Sequence, residues 1–429
     1  NSLFLRVFLR PFAPIAISSP QQPPPSRVHT PMKKTLLTGA LLALLPLTTL
    51  ASAPPDDSFF PIMAWNSVPS DPALLSRMHD CGLTVAGFAT IQQLSSVQAA
   101  GMKAIVSDPR ASNYDWSHPI DTAVATKNID SLTAELKGNP TVFGYYLRDE
   151  PEASLFPSLG AIASLIHEKQ PGVWPYINLF PNYATPGQMA SKDYSDYLEK
   201  FIATCHPTIL SYDNYSLLDN ATIRPEYFSN LQAIHDASVN HHIPFWNIVL
   251  TCGHFSYRPP SDADLRFEIY TTLAYGGRGL AYFTYFCPAT GNYRSAPVDQ
   301  FNHETSTWAS LQSVNLQVQK LAPTLNHLTS TRVYHFSPTP GCQSPPADSW
   351  LTSAGSPNFM VGEFTHDDGS QYIMIVNKDV YHSAPVALDF RTPAKQVLKI
   401  SPYSGTLASF DGENIWLAPG AGTLLKIIR

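Results

Sequence analysis

Between Phe59 and Phe286 the sequence repeats one pattern eight times: a short apolar run, a turn signal, then a stretch with apolar residues at helical spacing. The apolar runs predict strands over 59–66, 83–90, 103–108, 142 up to Pro151, 174–180, 208–215, 243–252 and 279–286. The intervening stretches predict helices over 71–81, 92–100, 121–137, 155–169, 191–205, 225–240, 261–275 and 305–325, with Gly82, Gly101 and Gly138 as stop signals. Strands that alternate with helices form a parallel sheet covered by helices. Eight such units over roughly 270 residues match a (β/α)₈ TIM barrel, whose usual length is about 250. An open doubly wound sheet would carry a glycine-rich phosphate turn after its first strand. Trp65-Asn66-Ser67-Val68-Pro69 is not such a turn.

The pattern changes after Leu325. Short strands are expected at 331–336, 359–365, 371–377, 386–390, 397–401, 407–410, 415–417 and 423–428, with hairpin signals at Asp367-Asp368-Gly369 and Asp411-Gly412. This reads as a C-terminal antiparallel β-sandwich domain over 329–429, following a barrel over 54–328. At the other end, Met32-Lys33-Lys34 precedes an apolar run and the small-residue site Ala51-Ser52-Ala53. Residues 32–53 thus read as a signal peptide cleaved near Ala53. Residues 1–31, rich in Pro and Ser, read as a disordered segment upstream of the natural start. The expectation is a secreted or periplasmic protein without stable membrane insertion after cleavage, because the apolar run is too short to span a bilayer.

Charge is sparse, at 14% of residues and a net −6, with no basic stripe, so no nucleic acid partner is expected. The aromatic share of 11% permits a carbohydrate ligand but serves an ordinary core equally well. No two of the five cysteines share a zinc-ligand spacing, so neither metal nor cofactor is expected. Cys252 and Cys287 end neighbouring strands and could form a disulfide.

In a barrel of this kind the carboxyl ends of the strands carry the chemistry. Here those ends hold Trp65, Asn66, Asp108, Asp149, Glu150, Asn178, Tyr212, Asp213, Tyr215, Trp246, Asn247 and Tyr282, with Tyr146 inside the fourth strand. Carboxylates suit acid–base work, amides and tyrosines suit hydroxyl groups, and tryptophans suit sugar ring faces. The fourth strand runs from Val142 into Leu147-Arg148-Asp149-Glu150-Pro151, where Pro151 ends the ladder and sets two acids at the rim.

On Tyr145-Tyr146-Leu147-Arg148-Asp149-Glu150-Pro151 the sequence resembles the TIM-barrel glycoside hydrolases of the clan A type, with no single family assignable. Their acid/base Glu ends the fourth strand, commonly before Pro. The resemblance implies that Glu150 is the general acid and that the substrate is an oligo- or polysaccharide. It also implies a second group, which many such enzymes take from a Glu ending strand seven. Strand seven here, 243–252, has no acid. Two candidates remain. Asp213, in Tyr212-Asp213-Asn214-Tyr215, would be a base at a carboxyl separation of about 6.5–9.5 Å or a nucleophile at about 5–5.5 Å. Alternatively, Asp149 with Glu150 is similar to the Asp-Glu pair of the β-N-acetylhexosaminidases, where the Asp orients the substrate's own acetamide; Trp246 and Tyr212 would wall that group. Arg148 would pair with an acid or point outward. The rival class is a non-catalytic carbohydrate-binding protein on the same scaffold, which the missing acid on strand seven favours. A lyase or esterase is disfavoured because no Gly-x-Ser-x-Gly elbow occurs.

Overall fold

The computed structural model describes residues 57–410 and 415–429. The expected leader, its cleavage site and the Asp411-Gly412 turn signal lie outside the described residues. Eight parallel strands close a barrel in sequence order: β1 Ile62–Ala64, β2 Val85–Ala89, β3 Lys103–Val106, β4 Val142–Asp149, β5 Trp174–Leu179, β6 Leu210–Asp213, β7 Phe245–Leu250 and β8 Gly279–Phe283. Closure is direct, since β1 pairs with β8 through Ile62–Leu280, Met63–Ala281 and Ala64–Tyr282. This excludes the open-sheet alternative.

The helices are α1 Pro72–Asp80, α2 Leu94–Ala99, α3 Pro109–Ser112, α4 Thr122–Glu135, α5 Phe156–Lys169, α6 Pro186–Met189, α7 Tyr194–Cys205, α8 Tyr227–His241, α9 Asp262–Ala274 and α10 Ser306–Leu325. Eight of them lie where the periodicity places them, and several have side-chain caps. Asp71, Asp121, Asp193 and Ser261 each accept a hydrogen bond from a backbone N–H of the first turn. The one-turn helices α3 and α6 were not expected; each begins with Pro at its first position.

The strands bury both faces. One set of side chains, including Met63, Val85, Ile105, Tyr176, Trp246, Ile248 and Ala281, fills the lumen. The alternate set, including Tyr145, Leu147, Ile177, Leu179, Tyr212 and Tyr282, packs under the helices.

Among the described residues ten further strands follow: β9 Leu328–His335, β10 Leu351–Ser353, β11 Phe359–His366, β12 Gln371–Asn377, β13 Ala384–Pro385, β14 Asp389–Phe390, β15 Gln396–Ile400, β16 Leu407–Ser409, β17 Trp416–Leu417 and β18 Gly422–Ile428. Six of these form one antiparallel sheet in the order β16-β15-β18-β12-β11-β9. The expected strand over 386–390 shortens to β14, which pairs with β10, a strand not expected from the sequence. Period-two alternation sorts the sheet's two faces. Phe359, Val361, Ile373, Ile375, Leu425 and Ile427 form a core of their own with Leu351, Val386 and Leu417. Met360, Phe364, Tyr372, Met374, Val376 and Leu424 join the barrel's core. Helix α9 lies between barrel and sheet and is buried on nearly every side, as a helix without a polar stripe must be. The approach is close: a Cβ on Gly362 would sit 2.0 Å from the Ala274 carbonyl oxygen. All five cysteines are free thiols, so Cys252 and Cys287 do not form the disulfide their strand ends allowed.

Candidate active site

The geometry at the end of β4 follows from one slip in register. Tyr146 pairs with Tyr176, but Arg148 then pairs with Ile177 and Asp149 with Asn178. The bulge at Leu147 inverts the alternation. Arg148, opposite the outward-facing Ile177, is exposed and makes no ion pair among the described residues, while Asp149 turns into the lumen. Glu150 follows with φ 39°, a left-handed conformation that costs a non-glycine residue about 1–3 kcal/mol and persists only where its surroundings impose it. Two neighbours do so here. The Glu150 amide donates to the Asn178 carbonyl at 2.9 Å, and the Tyr197 hydroxyl donates to the Pro151 carbonyl at 2.7 Å. Two more left-handed residues lie at the same rim, Asn66 after β1 and Phe88 in the bulge of β2.

Asn178 is the hub of the site. Its side-chain NH₂ donates to Asp149 at 3.0 Å and to Asp213 at 2.8 Å. Its carbonyl oxygen accepts from the Ser211 hydroxyl at 3.2 Å, and that hydroxyl lies 2.8 Å from the Tyr176 hydroxyl. A chain of polar contacts thus runs from the lumen floor to the paired acids.

Burial raises all three carboxyls. Glu150 is raised to about 7, by burial first and then by the charge of Asp149. Asp213, only 4% exposed, is raised well above the usual carboxylate range by burial and then by Glu150, with the Asn178 N–H opposing. Asp149 is raised by burial, against the Asn178 N–H and the charge of Arg148. The cluster therefore retains a proton at neutral pH. No side-chain hydrogen bond stabilises an ionised Glu150 among the described residues, whereas Asn178 donates to both aspartates. At both aspartates the Asn178 N–H thus opposes the burial that raises all three carboxyls.

Aromatic rings cluster at the same rim. Trp65 meets Phe88 at 5.0 Å and Phe283 at 5.8 Å, and Phe88 meets Tyr146 at 4.3 Å. Tyr215 stacks on Phe283 at 5.3 Å and meets His254 and Tyr257 edge-on. Arg224 lies over the Tyr183 ring at 4.0 Å and donates to the Tyr257 hydroxyl and the Tyr215 carbonyl. The charge of Asp213 helps raise the phenols of both Tyr183 and Tyr215, which places these two hydroxyls in the field of the acid cluster.

Of the residues expected from the sequence, the fold brings Trp65, Tyr146, Asp149, Glu150, Asn178, Asp213 and Tyr215 to the upper lumen. Asn66 is exposed at its rim, with its side chain turned back to the Ser67 amide. The others require correction. Asp108 caps α3 and chelates Arg110, contacts at 2.9–3.0 Å that occupy both its oxygens. Tyr212 faces the helix layer, among Tyr194, Tyr227 and Tyr275. Asn247 donates outward to Thr272 of α9 at 2.9 Å, and Tyr282 bonds outward to Asn315 of α10. Trp246 does face the lumen, but it is fully buried against Phe143, Trp174 and Tyr176 at the barrel floor. The acetamide walls expected of Tyr212 and Trp246 are therefore not present. Phe88, Tyr183, Arg224, His254, Tyr257 and Phe283 are site residues that the sequence reading passed over. Only Phe283 had a local signal, as the alternation partner of the lumen residue Ala281. Cavities of about 320 Å³, at the amino ends of β7 and β8, and about 440 Å³, at the domain junction, are not lined by Glu150.

No family model matches the sequence, and no curated protein matches it. Solved structures share the fold. A glycoside hydrolase family 5 protein from Bacteroides vulgatus ATCC 8482 aligns with a TM-score of 0.54 at 12% identity, over 86% of this chain and 89% of its own. A structure described as a glycoside hydrolase aligns at 0.51 and 11%, over 86% and 92%. Against the β-galactosidase of the psychrophilic Marinomonas ef1 the TM-score is 0.47 at 10% identity, and the chain spans 60% of that protein. The first two establish a shared fold of barrel plus β-domain.

Proposed function

We propose that the protein is a glycoside hydrolase in which Glu150 is the general acid. The observation that carries this reading is the Glu150 carboxyl itself. It stands at the carboxyl rim of a closed barrel, half-buried, raised to about 7, and paired electrostatically with Asp213. A carboxylic acid that keeps its proton near neutrality can protonate a glycosidic oxygen as the bond breaks. The two solved structures with a shared fold, both described as glycoside hydrolases, support the class.

In this reading a sugar ring packs on the Trp65, Tyr146 and Phe283 faces, and its glycosidic oxygen meets Glu150. Asp213 is the second carboxylate, held by Asn178 through one oxygen. Its role as water-activating base or as nucleophile follows from whether the product inverts or retains its anomeric configuration. Asp149 shares the Asn178 amide, and its charge is the second cause, after burial, that raises the Glu150 carboxyl. The substrate-assisted alternative loses support with the misplaced walls. Part of the proposal is export, with a mature chain beginning near Pro54.

Glu150→Gln decides the assignment. Hydrolysis of a panel of aryl glycosides should fall about 10²- to 10⁴-fold with an unchanged circular dichroism spectrum. Undiminished turnover would end the reading. Glycan binding by the wild-type protein with no released sugar would instead favour the non-catalytic carbohydrate-binding class. Mass spectrometry of protein recovered from the culture medium or periplasm checks the expected terminus.

A further inference from the structure

At the junction of barrel and β-domain lies the cavity of about 440 Å³, lined by Ile223, Phe228 and Phe267 on the barrel side and by Ser337, Thr339 and Lys378 on the β-domain side. Lys378 directs its ammonium to the Ser337 hydroxyl at 3.0 Å and the Thr339 hydroxyl at 3.1 Å, with the Phe228 ring at 5.6 Å. Among the described residues it has no anionic partner. Asp379, the adjacent acid, also lines the cavity, with its oxygens engaged by the Tyr381 and His382 amides, the His382 ring and Asn358. Burying a cation beside two neutral hydroxyls and a ring, with no counter-charge, is costly unless an anion completes the shell. Burial lowers the amine only to about 8, so it is still charged at neutral pH.

We propose that this cavity binds an anionic sugar group, the carboxylate of a uronic acid or the sulfate of a sulfated sugar, on the Lys378 ammonium. Phe228 offers an apolar face within the cavity, and Tyr381, 62% exposed at its edge, offers a second aromatic surface. The Asn358 side chain donates its NH₂ to Asp379 and leaves its carbonyl oxygen to accept from a ring hydroxyl. That the ligand is a sugar rests on the proposed glycosidase; that it is anionic rests on Lys378.

The test is calorimetric titration of the full chain carrying Glu150→Gln with glucuronate, glucose 6-sulfate, inorganic sulfate and glucose, none of which has a glycosidic bond to cleave. At least one anionic sugar should bind and glucose should not. Adding Lys378→Met, which keeps the apolar stem, should weaken that binding about 10- to 100-fold, the effect of losing a hydrogen bond to a charged group. The same variant should melt at or above the parent temperature without ligand, since it removes an unpaired buried charge. Absence of binding by any anion, or equal affinity after Lys378→Met, would overturn the proposal. So would a Lys378→Met chain that fails to fold, because the lysine would then be structural. Binding of inorganic sulfate alone would overturn the sugar part. None of these outcomes depends on hydrolysis, so failure here is separable from failure of the glycosidase assignment.

Discussion

The Asn178 side-chain amide lies 2.8 Å from Asp213 and donates to it, while its second hydrogen goes to Asp149. One neutral residue thus holds two acids apart in orientation and supports both as carboxylates. Asn178→Ala removes both donors. Asp149 and Asp213 should rise further, moving the acidic limb of the pH–rate profile to higher pH. Loss of a hydrogen bond to a charged group should lower kcat/KM about 10- to 100-fold. A purely structural Asn178 would lower the amount of folded protein without moving the limb.

In the proposed reaction Glu150 sets the alkaline limb. With its carboxyl at about 7, activity should fall above neutrality as the proton is lost. Any residual rate of Glu150→Gln should lack this limb. Stability carries the same signature. The usual carboxyl value is 4.5, so between pH 4.5 and about 7 the unfolded chain releases a proton that the folded chain retains. The stabilisation is present below that window and lost as pH rises through it. The melting temperature of Glu150→Gln relative to wild type should therefore rise from pH 4.5 to pH 8.

Tyr212 and Tyr215 are three residues apart and differ in role. The Tyr212 hydroxyl is buried in the helix layer without a hydrogen-bond partner among the described residues. Tyr212→Phe should leave kcat/KM unchanged and should not lower the urea midpoint. Tyr215, in the field of the acids, should lose activity as Phe. Activity loss in Tyr212→Phe with none in Tyr215→Phe would reverse their assignment.

Trp246 is a packing residue at the barrel floor. Trp246→Ala should cost about 3–5 kcal/mol in chemical denaturation, the range for emptying a fully buried aromatic site. An unaltered midpoint with weakened sugar binding would instead return it to the ligand.

The five cysteines should all react with a thiol reagent in the unfolded, unreduced protein. Reductant should leave the melting temperature unchanged. Fewer than five reactive thiols would reveal a bridge.

The barrel was legible because its evidence is local: apolar runs, helical spacing and stop signals recur within each unit. The pair Asp149-Glu150 was legible for the same reason, since Pro151 ends the strand beside it. Which side each neighbour faces was not. Barrel strands are buried on both faces, so Tyr212, Asn247 and Tyr282 carry no alternation of polarity to reveal their phase. A one-residue bulge at Leu147 turns Asp149 inward, and no propensity announces it. Asp108 was taken by its own helix start, a contact that competes with any cleft. Tyr183, Arg224, His254 and Tyr257 reach the site from loops, where position is set by packing across the rim. Sequence alone thus determined the architecture and the acid at the end of the fourth strand. Tertiary structure decided the company that acid keeps, because burial and charge, which raise its proton affinity, arise only when distant strands close into a ring.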